Sequence, residues 1–231
     1  MTRRVSPRAM KNPQSTRFAV LLDGALTATA RVKHAIEGCR ILAADGGIRH
    51  AEALGVTPEL WIGDFDSADQ HLIDHYVHVP RQNHVPDKAM SDGEIAIRHA
   101  LDCGADSLLL CGGIGGERTD HAFFNLATAI DLAKREEIDV VVTSGAEEAL
   151  PLVPGTPLKP DWTAGTMFSI MNFSNLEGLT ITAAKWPLHD VNVRLGSTLT
   201  LSNVAANNVA IVLSKGCAVA IAQVECQDEG M

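Results

Sequence analysis

The sequence predicts an α/β protein: an N-terminal doubly wound parallel sheet followed by a smaller all-β sandwich. Three observations point there. Short, continuous apolar runs recur at residues 18–22, 41–43, 60–62, 107–110 and 140–142, as strands covered on both faces require. Between them, apolar residues repeat at helical spacing, with Ile97, Ala100 and Leu101 in one segment and Phe123, Leu126, Ala127, Ile130 and Ala133 in the next. After about residue 145 the pattern changes to alternating segments with Gly and Asn turns, at 166–173, 179–183, 198–201, 210–213 and 218–222, which read as antiparallel strands.

Taken in order, residues 1–17 carry Arg3, Arg4, Arg8, Lys11 and Arg17 without an apolar stretch of signal-peptide length, and are expected to form a mobile leader. Residues 18–145 form the α/β unit. Pro151, Pro154, Pro157 and Pro160 mark a linker or edge loop at the start of the second unit, residues 146–231. No internal repeat or low-complexity tract interrupts either.

Composition narrows the chemistry. A length of 231 residues with 46% hydrophobic and 20% charged content is that of a globular protein, and no apolar run approaches the roughly 18 residues of a membrane span. The formal charge of −9 argues against a nucleic-acid surface, because phosphate backbones are held by clustered Lys and Arg. An anionic substrate would need a metal. The five cysteines include no C-x-x-C spacing, so neither a zinc site nor a disulfide framework is expected, and a reducing cytoplasm fits.

Ligands of open parallel sheets bind at the carboxyl ends of the strands, so the residues after each run are the informative ones. Gly63-Asp64-Phe65-Asp66-Ser67 follows the third run and offers two carboxylates two residues apart, with Phe65 turned to the core. That pair suits Mg2+, which takes one or two carboxylates together with waters and substrate phosphates; the alternative is an Asx turn. Ala44-Asp45-Gly46-Gly47 follows the second run. Gly112-Gly113-Ile114-Gly115-Gly116-Glu117-Arg118-Thr119-Asp120-His121 follows the run at 107–110 and opens a helix. Glycines there let backbone amides reach phosphate oxygens, although Gly46-Gly47 also reads as a tight turn and Thr119-Asp120 as a helix cap. Ser91 and Glu94 have capping-box spacing, which makes Glu94 structural. Asp92 in the first turn of that helix faces the same rim, and Lys88 can reach a phosphate.

In this order the motifs at Asp45-Gly46-Gly47, Asp64-Phe65-Asp66, Lys88 with Asp92, and Gly113-x-x-Gly116-x-Arg118-x-Asp120-His121 resemble those of the thiamine pyrophosphokinases. Lys185-Trp186-Pro187-Leu188 and Ser202-Asn203 extend the likeness through the second unit, over residues 18–222. Ser91 in place of Thr, Glu117 in place of Gly, and Ala183-Ala184 in place of Gly-Leu are departures. The resemblance implies Mg2+-dependent transfer of diphosphate from ATP to the hydroxyl of thiamine, with release of AMP. Asp64, Asp66 and Asp92 would hold the metal, with Asp45 a further ligand or an orienting group. Lys88, Arg118 and the loop glycines would face phosphates, and Asp92 or Asp66 would accept the proton. The resemblance also implies a homodimer with thiamine between the two domains.

Trp186 is the candidate to stack on the cationic vitamin, the alternative being a core tryptophan. Thr200, Ser202 and Asn203 could bond the aminopyrimidine edge or simply shape a turn, and His121 could touch a phosphate or cap its helix. His71, His75, His78 and His84 lack metal spacing and are expected at the surface. Two other functions fit the acidic rim. One is a pyrophosphokinase for another hydroxymethyl acceptor such as a pterin, and the other is a non-catalytic nucleotide-binding module.

Overall fold

The computed structural model describes residues 16–65, 69–83, 90–136 and 138–224. Six strands run parallel: β1 (Arg17–Leu21), β2 (Arg40–Ala44), β3 (Leu60–Gly63), β4 (Arg81–Asn83), β5 (Ser107–Cys111) and β6 (Asp139–Thr143). Their crossovers carry helices α1 (Ala30–Ile36), α2 (His50–Leu54), α3 (Gln70–His75), α4 (Asp92–Asp102) and α5 (Thr119–Arg135). Alternation along β1 shows why the sheet is covered twice. Ala19 and Leu21 join one apolar cluster with Val32, Ile48 and Trp61, while Phe18 and Val20 join the other with Ile97, Leu126 and Ile130.

The parallel strands lie in the order β6-β5-β1-β2-β3-β4. The chain winds outward from β1 in one direction to β4 and in the other to β6, so the crevice forms where β1 and β5 adjoin. Beyond β6 the sheet turns antiparallel. β7 (Glu147–Leu152), β8 (Met167–Asn172), β9 (Leu176–Ala184), β10 (Leu188–Val193), β11 (Asn203–Val212) and β12 (Ala218–Gln223) complete a twelve-strand order, β10-β9-β11-β8-β12-β7 followed by the parallel six. β11 pairs with β8 only at its start and with β9 thereafter, with a register shift between Ala205 and Ala210. The two arms fold onto a shared core that includes Phe168, Ile170, Leu179, Ile181 and Ile211. The fold class is as expected.

Local departures have physical reasons. Pro151 lies in β7 rather than in a linker, opposite Val219 of β12. It is tolerated because β6 pairs with β7 only through Ala149 and Glu148, so the missing N–H breaks no ladder bond on that side. Residues 198–201 form a turn, not a strand. Leu199 and Leu201 are exposed, while the Thr200 carbonyl accepts from Ile170 N and its hydroxyl donates to Ile170 O at 2.7 Å. The leader expected over residues 1–17 lies outside the described residues except for Thr16 and Arg17. Arg17 opens β1, and its guanidinium donates to the carbonyls of Ala35 and Glu37 at the end of α1.

An ion pair ties the parallel part to the antiparallel part. Arg31 of α1 forks onto Glu148 of β7, with Nε–Oε1 2.5 Å and Nη2–Oε2 2.9 Å, and also reaches Asp161 at 2.7 Å. Burial alone would lower the Arg31 pKa. The hydrogen bond and charge of Glu148 outweigh burial and hold it above the ordinary value.

Candidate active site

A cleft of about 670 Å³ opens at the carboxyl ends of β1, β2, β3 and β5. Asp45, Asp64, Asp92, Gly113, Gly116, Arg118 and His121 all line it. Residues from four separate loops thus meet at the crevice that the strand order creates. The glycines explain how the walls approach one another. A Cβ on Gly24 would stand 2.3 Å from Gly112 O, and one on Gly47 would stand 2.1 Å from Leu21 O. Gly47 is therefore required for packing the Asp45–Arg49 turn against the end of β1.

The glycine loop between β5 and α5 is held from several directions. Gly24 N donates to Gly112 O at 3.1 Å, and Asn125 Nδ2, one turn beyond His121, donates to Gly113 O at 2.9 Å. α5 opens at Thr119 with Arg118 as its N-cap residue and no side-chain cap, so Thr119-Asp120 does not play that part. Instead Arg118 grips Asp120 with two hydrogen bonds, of 3.0 and 2.8 Å, which hold the Asp120 carboxyl well below the usual carboxylate range. Asp120 itself is outside the cleft lining.

Ser91 caps α4, its hydroxyl accepting from Glu94 N at 3.2 Å, while the Glu94 carboxylate turns away to Arg98. Only the Ser91 half of the capping box is seen, with Glu94 in an ion pair with Arg98 on the helix surface, and Asp92 faces the cleft from the first turn. Asp66 and Lys88 lie outside the described residues. Among the described residues no three His, Cys, Asp or Glu side chains group closely enough to hold a metal by themselves. The donor set nevertheless suits a hard cation. Asp45 and Asp64 offer carboxylate oxygens in one cleft, and Mg2+ completes its shell with water and phosphate rather than with a protein cage.

The second-unit candidates stand elsewhere. Trp186 is 52% exposed, which rules out the core reading, and Lys185 Nζ lies 4.6 Å from its ring centroid. Asn203, buried, accepts from Trp186 N at 3.1 Å and donates to Trp186 O at 2.8 Å, so its amide holds the backbone that carries the indole. Thr200 is buried and bonded to β8, as described above. Ser202 lines a groove of about 450 Å³ with Phe123, Met167, Met171, Leu201 and Glu147. That groove shares Gly115 and Ala122 with the cleft. His71, His75 and His78 are exposed, while His84 lies outside the described residues.

Sequence reasoning passed over Asp23, Arg49 and Asn125, all in the cleft lining. Arg49 pairs with the Asp23 carboxylate, and His50 Nε2 meets Gly24 O at 2.9 Å. The signal was present in Asp23-Gly24, which directly follows the first apolar run.

A crevice with loop amides and an arginine for anionic oxygens, and carboxylates for a counter-cation, handles a polyphosphate. The class it defines is that of nucleotide-dependent phosphotransferases. Residues 32–142 match the model for the thiamin pyrophosphokinase catalytic domain, and residues 157–218 match that for the thiamin pyrophosphokinase vitamin B1 binding domain. The chain belongs to the thiamin pyrophosphokinase family, and its activity is the family's, ATP-dependent diphosphate transfer to thiamine. Among curated proteins none matches by sequence. The fold is similar to that of thiamine pyrophosphokinase from Bacillus subtilis (TM-score 0.75, 20% identity, covering 91% of this chain and 100% of that one). It is likewise similar to the enzyme from Geobacillus thermodenitrificans (0.75, 21%, 92% and 99%) and to yeast thiamin pyrophosphokinase (0.74, 12%, 95% and 89%).

Proposed function

We propose that the cleft holds the triphosphate of ATP with Mg2+, and that the acidic rim and the glycine loop carry out the transfer. The observation behind this reading is the meeting of Asp45, Asp64 and Asp92 with Gly113, Gly116 and Arg118 in one cleft. Asp64, Asp66 and Asp92 would hold Mg2+, with Asp45 as a further ligand or orienting group, and the metal would neutralise charge on the phosphates. Loop amides, Arg118 and Lys88 steady the phosphate oxygens while the thiamine hydroxyl attacks the β-phosphorus and AMP leaves. Asp92 or Asp66 accepts the hydroxyl proton. AMP should form from ATP only when thiamine and Mg2+ are both present. Turnover with a hydroxymethylpterin and none with thiamine would overturn the acceptor.

Thiamine would sit beside the nucleotide, between the two units, in a site completed by a second chain. Phe124, Leu199 and Leu201 are more than half exposed, and Met167 and Met171 two-fifths exposed, which is the kind of apolar face a partner covers. The solution species is expected to be a homodimer. An active monomer, seen by sedimentation at assay concentration, would refute this. The four described cysteines are free, in keeping with a reducing cytoplasm, and no described helix is long and apolar enough to cross a membrane.

Trp186, exposed and already carrying a cation on its face, is the proposed stacking surface for the vitamin. Trp186→Ala should weaken thiamine binding by ~1–2 kcal/mol, about five- to thirtyfold, while ATP affinity and melting temperature stay near wild type. Titration calorimetry of both ligands checks it. Unchanged thiamine affinity would remove Trp186 from the site.

A further inference from the structure

Two cleft loops hold their carboxylates on backbone that side-chain-bearing residues rarely adopt. Asp45 has φ +45° and Phe65, next to Asp64, has φ +61°. Phe is a poor fit for the left-handed region, and such conformations persist only where the surroundings over-determine them. A single side chain does so for both. The Trp61 indole, 1% exposed, donates its Nε1–H to the Asp45 carbonyl at 2.9 Å. Its ring meets Phe65 edge-on, with centroids 4.9 Å apart at 89°. Arg81, opposite Trp61 on β4, lays its guanidinium 5.2 Å from the Trp61 ring and 5.9 Å from that of Phe65, and anchors Nη2 on Ile73 O at 2.7 Å.

We infer that Trp61 is a positioning residue that couples the Asp45 turn to the Asp64 turn and so sets the spacing of the acidic rim. The inference rests on the metal-binding reading given above. Strand pairing brings the two loops near, since Ala44 lies opposite Ile62 and a Cβ on Gly63 would stand 3.4 Å from Asp45 Cα. Pairing alone does not select a left-handed Asp45 or a left-handed Phe65. The indole does both, through its N–H to Asp45 and its edge-on contact with Phe65. Removing the N–H while keeping an aromatic ring should therefore loosen both loops together.

Trp162 supplies the control. It is also buried, but its Nε1 has no partner among the described residues and it does not line the cleft. In ligand-free protein, Trp61→Phe should speed hydrogen exchange about tenfold at residues 45–47 and 63–65, with residues 112–116 unchanged, and Trp162→Phe should alter none of these. Mn2+ titration followed by electron paramagnetic resonance should show about ten- to hundredfold weaker binding in Trp61→Phe. Phe65→Gly relieves the positive φ yet should weaken Mn2+ to a similar degree, because the anchoring ring is gone. Exchange that changes at one loop only or at neither, or wild-type Mn2+ affinity in both variants, would overturn the coupling. If wild-type protein takes up no Mn2+, the metal reading falls, while the exchange comparison still decides whether Trp61 joins the loops.

Discussion

Asp64→Asn is expected to lower the rate of AMP release by a hundredfold or more while leaving the melting temperature near wild type. The substitution is nearly isosteric, and Asp64 sits half-buried at the mouth of the cleft, so packing should survive it. What it removes is negative charge where a metal and a triphosphate must be balanced, and transition-state electrostatics of this kind account for about 3 kcal/mol per group in other active sites. Asp66→Asn should behave alike. Raising Mg2+ should recover part of the Asp64→Asn rate, because the defect is one of metal affinity. Normal turnover at an unchanged melting temperature would sink the assignment of Asp64 to the metal.

The largest expected loss of stability lies outside the cleft. Arg31→Ala should cost about 3–5 kcal/mol, because it strands the Glu148 carboxylate, 5% exposed, without its bidentate partner. Glu148→Ala should cost less. Arg31 is 29% exposed and keeps Asp161, so its charge can turn toward water. Replacing both partners with apolar residues should recover most of the loss, since desolvation of the pair offsets much of its attraction. Denaturant midpoints of the three variants test the ordering. An Arg31→Ala cost below about 1 kcal/mol would show the contact to be no stronger than a surface ion pair.

The parallel half of the fold was legible because buried strands such as residues 107–110 are continuously apolar and the intervening helices are amphipathic. β4, Arg-Gln-Asn, and β10, Leu-His-Asp-Val-Asn-Val, escaped notice because they lie at the two ends of the strand order with mostly exposed side chains and carry no apolar signature. β7 was masked by Pro151, a residue that argues against a strand unless the neighbouring strand has already parted from it. In the cleft, the carboxylates and glycines could be read because strand ends concentrate ligands. Arg49 and Asn125 could not, since each acts on backbone carbonyls brought near only by the fold. Asn203 and Thr200 carried a ligand-like signal for a different reason. A buried amide or hydroxyl bonded to main chain looks, in sequence, just like one waiting for a substrate.

β12, the last of the described strands, lies between β7 and β8 and pairs with both. A chain emerging from the ribosome therefore presents β7 and β8 with open edges until residues 218–223 arrive to join them. The nascent protein would have the crossover helices and the whole parallel sheet available early, yet β7 and β8 could not be joined before residues 218–223 had been made. Premature termination after Asn172 but upstream of Ala218 would leave two unpaired edges in the middle of the sheet, a template for association with other chains rather than a smaller folded protein.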